Sequence, residues 1–212
     1  APPCGKMQLD ENGSPIYGAR DEADLSKMAA IGLPFWMAGA YGTSERVAAA
    51  VAAGAEGVQV GTVFAMSSDS GLPDEARALM LERLRNDELV VRNDPRASPT
   101  GFPFKVISVD GTVSQESVYD ARPRLCDLSY LRQAYQREDG TVGYRCAAEP
   151  VHMWEKKGGT LDDTVGRKCL CNGLVATIGM AQHRKDGYVE DRIMTLGEDL
   201  DGPRDLIARH PQ

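Results

Sequence analysis

The chain has no long apolar run, little aromatic content, few histidines and a deficit of positive charge, and each shortage excludes something. No stretch approaches the roughly 18–20 apolar residues needed to span a bilayer, and no basic segment leads into an apolar one near the amino terminus as in a secretory signal. A cytoplasmic location is therefore the expectation. Lys and Arg number 24 against 31 Asp and Glu, a formal net charge of −7. That balance disfavours nucleic acid or an acidic membrane as partner. Aromatics make up 6% of 212 residues and the mean hydropathy is −0.35, which suits a modest core. The three histidines are His152, His183 and His210. No Ser–His–Asp or Cys–His arrangement can be argued from their order, so no catalytic residue is assigned. His152, between Val151 and Met153, reads as half-buried and structural, and His210 as solvated.

Cysteine is sparse and lopsided. Cys4 stands apart, while Cys126, Cys146, Cys169 and Cys171 fall in the second half. Four thiolates suit zinc or an iron–sulfur cluster, yet the only close pair is Cys169-Leu170-Cys171. Arg145, Arg167 and Lys168 favour thiolates nearby. Free cysteine is also among the most readily buried residues. Reduced, buried thiols are the preferred reading, no metal is assigned, and a reducing compartment disfavours a disulfide.

What is present is concentrated in residues 34–64. Phe35–Ala38 is a short apolar run between Pro34 and Gly39, as a buried strand should be. Thr43 or Ser44 caps a helix whose apolar stripe is Val47, Ala48 and Val51, and Gly54 ends it. Gly57–Val60 is a second strand, followed at once by Gly61-Thr62. Two strands joined by so short a helical crossover should be parallel. Gly39-Ala40-Tyr41-Gly42 and Gly61-Thr62 then lie at neighbouring carboxyl ends, where loops running into helices aim backbone N–H groups at an anion. Such paired loops are a common phosphate site in (β/α)₈ barrels. The same glycines also suit tight turns that hold no ligand.

Ala-Gly-Ala-Tyr-Gly-Thr at 38–43 with Gly-Ala-Glu-Gly-Val-Gln-Val-Gly-Thr-Val-Phe at 54–64 resembles the carboxyl-terminal part of the nitronate monooxygenases. These FMN-dependent enzymes were formerly called 2-nitropropane dioxygenases. The stretches at 1–6, 15–22 and 167–174 resemble members with a long carboxyl-terminal extension. The resemblance implies FMN as cofactor, bound by Ala38, Gly39, Ala40, Gly42, Gln59, Val60, Gly61 and Thr62, with its phosphate held by the Gly39–Gly42 loop and Gly61-Thr62 and its flavin near Gln59 and Val60. It also implies oxidation of alkyl nitronates with dioxygen to a carbonyl compound and nitrite. One departure is visible: the family usually has two consecutive glycines in the first loop, and the second is Ala40 here, which would be strained at positive φ.

The implied fold is α/β, the last units of a (β/α)₈ TIM barrel in residues 1–86, then an irregular, loop-rich α+β extension in 87–212. A full barrel needs about 250 residues, and only two strand–helix units are recognisable here, so the chain reads as part of a larger machine. That suggests self-association or a partner chain completing the barrel. Residues 1–20 read as a surface loop, Asp21 as the cap of a helix to about Ile31, and Pro73 as the start of a helix to about Arg85. Strands are expected near 88–92 and 104–109, helices near 114–119 and 170–180, and a partly mobile tail from Gly187. Two readings of different class remain: an FMN oxidoreductase (a nitronate monooxygenase, or an enoyl reductase with similar loops), and a non-catalytic interaction module without a complete cofactor site.

Overall fold

Trp36–Ala38 (β1) and Gly57–Gln59 (β2) run parallel, with Trp36 opposite Gly57, Met37 opposite Val58 and Ala38 opposite Gln59. Both strands were expected from their apolar content; β1 begins one residue later than expected and β2 ends one residue earlier. The computed structural model describes residues 8–11 and 15–210. The 1–6 stretch, Cys4 and residues 12–14 of the expected surface loop lie outside the described residues.

The described residues fall into two compact units, one running to Leu89 and resuming at Leu196, the other being Val90–Thr195. In the first unit, Leu25–Ala30 (α1) is capped by Asp24, whose side chain accepts from the Lys27 N–H at 3.2 Å. Asp21 was expected in that role. It ends a short 3₁₀ turn instead, its carboxylate accepting from the Gly18 N–H at 2.8 Å, so the helix starts later. Ser44–Ala52 (α2) connects the parallel strands and is capped by Thr43, whose hydroxyl accepts from the Arg46 N–H. Phe35, Met37, Ala50 and Ala55 form a small core beneath this unit, with Leu25, Tyr41 and Val58 packed against it. Thr62–Ala65 (α3) follows β2, and Asp74–Arg85 (α4) follows Pro73 with Ala76, Met80 and Leu84 buried. Acidic Asp74 and Glu75 sit in its first turn, where the helix dipole favours them.

In the second unit, Val91–Asp94 (β3) pairs antiparallel with Phe104–Ile107 (β4). Glu116–Ala121 (α5) begins two residues after the expected start. Gln133–Gln136 (β5) and Val142–Arg145 (β6) form a hairpin around the Asp139-Gly140 turn. Val151–Lys156 (α6), Leu161–Thr164 (α7) and Leu170–Thr177 (α8) follow. The core here is Ala97, Val106, Val113, Tyr119, Leu170 and Ile193. His152 is exposed on α6 rather than half-buried, because that helix turns Trp154 inward. The tail expected to be partly mobile ends in a nine-residue helix, Asp201–Arg209 (α9).

Among the described residues the strands make three separate two-stranded sheets, with no closed barrel. The architecture is mixed α/β, and the expected barrel units reduce to one strand–helix–strand–helix segment, β1–α2–β2–α3. Among the described residues, no helix is long and apolar enough to cross a membrane.

Candidate cofactor loops

The register of β1 and β2 decides how the glycine loops meet. Ala38 lies opposite Gln59 at the carboxyl ends of the two strands, so Gly39–Gly42 and Val60–Thr62 leave the sheet side by side. One loop runs into α2 and the other directly into α3. First-turn amides of a helix lack intrahelical acceptors, and both sets open on the same end of the sheet. Ala38, Gly39, Ala40, Gln59 and Gly61 are exposed, while Gly42, Val60 and Thr62 are half-buried.

The three glycines do different work. Gly39 has φ +84°, a conformation only glycine adopts freely. Gly42 is required by packing: a Cβ there would lie 3.2 Å from Gly202 Cα and 3.3 Å from Val63 Cγ2. Gly61 has neither reason. Its φ is −101°, and a Cβ built on it meets no heavy atom within 4 Å. What the missing side chain leaves is open space against the backbone at the start of α3. Ala40 has φ +58°, so the departure from a glycine pair does place a methyl group in the left-handed region.

Several contributors were not anticipated. Arg46, in the first turn of α2, donates from Nη1 to the Ala40 carbonyl at 2.8 Å and is paired with Asp199 and Asp201. A cation there opposes the helix dipole, and that was the one local hint that acidic groups face it. The Gly197 N–H donates to Thr62 Oγ1 at 2.9 Å. Because Thr62 accepts this bond, its own hydroxyl proton remains available to an acceptor. The segment 197–202 therefore lies against the loops, and α9 packs on α3.

Residues 17–101 match the family model of nitronate monooxygenase. The match covers less than half of the chain and contains both glycine loops. No curated protein and no solved structure matches the chain. The matched segment begins at Tyr17 and runs through β3 into the Pro-rich loop before β4. For that segment the match suggests a flavin-dependent oxidoreductase family in general terms. The extension beyond residue 101 and the carboxyl-terminal segment that reaches Thr62 lie outside it.

Elsewhere, the described residues hold no group of three or more His, Cys, Asp or Glu already arranged to bind a metal ion. The four described cysteines are unpaired: Cys126 is exposed, Cys146 buried, Cys169 and Cys171 half-buried. Burial pushes the Cys146 thiol up to about 11, and Cys169 is raised for the same reason. The sequence reading of uniformly buried thiols is thus correct for Cys146 and too strong for Cys126.

Proposed function

We propose that the chain holds the phosphate end of FMN in an oxidoreductase of nitronate monooxygenase type. The observation that carries this reading is Gly61, a glycine whose backbone and neighbours would both accept a side chain, beside open space at a helix start. The match over residues 17–101 supports it. In this reading the amides of Gly39 to Gly42, Gly61 and Thr62 bind the phosphate oxygens and the Thr62 hydroxyl donates its remaining proton. Ala38, Ala40, Gln59 and Val60 line the approach to the flavin. When bound, FMN supplies the electron transfer that oxidises an alkyl nitronate with dioxygen to a carbonyl compound and nitrite. The protein's own task is to orient the cofactor and exclude water. The remaining barrel units come from another stretch of polypeptide, either further sequence or a partner chain.

The competing reading is a non-catalytic interaction module. It is favoured by the isolated two-stranded β1–β2 sheet, where Trp36 is 55% exposed, since unpaired parallel strands invite a partner. FMN binding to the purified chain, followed by absorbance and fluorescence, separates the two. Gly61→Val is the control, because φ −101° suits valine and the added methyls would fill only the open space. Binding by the parent chain and loss of at least tenfold in affinity in the variant support the flavin reading. A folded, colourless chain that binds no FMN supports the module. Equal binding by both proteins would move the phosphate away from Gly61.

A further inference from the structure

Two consecutive residues of the loop after β1 lie in the left-handed region, Gly39 at φ +84° and Ala40 at φ +58°. Glycine takes that conformation freely and alanine does not. A strained residue persists where its surroundings over-determine it, so the contacts made by Ala40 matter. Its carbonyl accepts from Arg46 Nη1 at 2.8 Å.

Arg46 needs support of its own. It lies in the first turn of α2, where a cation opposes the helix dipole, and its side chain is 41% exposed. Two carboxylates from the far end of the chain hold its guanidinium. Asp199 pairs with Nη1, and Asp201 pairs with Nη2 at 2.9 Å. The two aspartates are themselves joined, the Asp201 N–H donating to Asp199 Oδ1 at 3.0 Å. The same segment touches both glycine loops. The Gly197 N–H donates to Thr62 Oγ1 at 2.9 Å, and Gly202 packs on the backbone of Gly42. All of these residues belong to the first unit.

We propose that Arg46 is a positioning residue of the cofactor loops, and that Asp199 and Asp201 clamp it in place. The aspartates act through Arg46, and Arg46 acts through the Ala40 carbonyl, keeping the loop in the one shape that presents its amides to the phosphate. No member of the clamp has to touch the ligand. The fork of the guanidinium is what makes the arrangement possible, because two nitrogens serve three acceptors in fixed geometry. Segment 197–202 lies outside the matched residues 17–101, so the carboxyl-terminal part of this chain governs a loop that the match contains. The inference rests on the flavin reading of the same loops.

The test uses the full chain, with FMN affinity read by absorbance and fluorescence and stability by denaturant unfolding. Arg46→Gln should weaken FMN binding by about 10- to 100-fold, and so should Asp199→Asn combined with Asp201→Asn. Glycine needs no clamp at position 40. Ala40→Gly in the Arg46→Gln background should therefore restore affinity to within about twofold of Ala40→Gly alone. If Arg46 instead contacts the phosphate directly, the loss remains with glycine at position 40, which would overturn the positioning role. Equal binding by Arg46→Gln and the parent would overturn it too. A parent chain that binds no FMN would refute the flavin reading and leave the clamp to the unfolding data. There Ala40→Gly and Arg46→Gln should be coupled by at least about twofold in the unfolding constant, and strict additivity would remove the clamp. If Arg46→Gln fails to fold, Asp201→Asn takes its place in the same comparison.

Discussion

Gly42 and Gly202 meet backbone to backbone. A Cβ on Gly202 would stand 2.7 Å from the Gly42 carbonyl oxygen and 2.8 Å from its Cα. These two residues are 160 positions apart in sequence, and their contact fixes α9 against the loop that leaves β1. No flexible side chain is involved, so nothing can yield cheaply. Gly202→Ala should destabilise the first unit by about 1–3 kcal/mol through overpacking. Denaturant unfolding would measure it, and hydrogen exchange should show faster exchange in 201–209 and 62–65 than elsewhere. An unchanged midpoint with unchanged exchange would mean that this contact is not made in solution.

Ala40 offers a change in the opposite direction. At φ +58° its Cβ crowds the backbone at a cost of about 1–2 kcal/mol. Ala40→Gly removes that crowding but gives the unfolded chain more freedom, which takes back about 0.4–1 kcal/mol. A net gain of about 0–1.6 kcal/mol is expected in denaturant unfolding. If the loop holds a phosphate, FMN affinity should be maintained or improved. A destabilised Ala40→Gly would show that the loop takes negative φ at this position.

Gly173 tests the packing of the second unit. A Cβ there would lie 2.7 Å from Ile193 Cγ2, and the Ile193 N–H donates to the Gly173 carbonyl at 3.1 Å. Gly173→Ala should cost about 1–3 kcal/mol by overpacking. Ile193→Ala should cost about 2–5 kcal/mol by opening a cavity. Because the alanine methyl enters the space that isoleucine vacates, the double variant should lose less than the sum. Strict additivity in thermal or denaturant unfolding would rule out the contact.

Asp163 gives the acid limb of stability a definite sign. The Thr160 N–H donates to its carboxylate at 2.9 Å, as does the Thr160 hydroxyl, with Trp154 Nε1 at 3.3 Å. These bonds, the Thr160 backbone bond foremost, hold its carboxyl below the ordinary aspartate value. A depressed folded-state value means that the stabilisation is present above the unfolded-state value, about pH 3.9, and is lost as pH falls through the folded one. Asp163→Asn should therefore be less stable than the parent at pH 6, and the difference should shrink below about pH 4. Unfolding midpoints collected across that range would check it. A difference independent of pH would remove the charge from the explanation.

The sequence by itself determined the local pieces of this protein. The apolar runs at 35–38 and 57–60, the Thr43 cap and the Gly54 stop are signals spanning a few residues, and the structure contains β1, α2 and β2 within a residue or so of where they point. The glycine loops were legible for the same reason, since β1 and β2 joined by a short helix leave little choice of register. The cap at Asp24 was missed because Asp21 and Asp24 both satisfy the sequence pattern, and only the 3₁₀ turn tells them apart.

Tertiary structure decided the rest. Gly202-Pro203 reads as a helix breaker, yet in the first turn of α9 the missing proline N–H is one that would lack a partner anyway. Nothing local announces that this helix returns to Gly42, that Gly197 caps Thr62, or that Asp199 and Asp201 neutralise Arg46. Each of these partners lies more than 130 positions away in the sequence, so no local pattern could point to it, and only the packed chain brings them together.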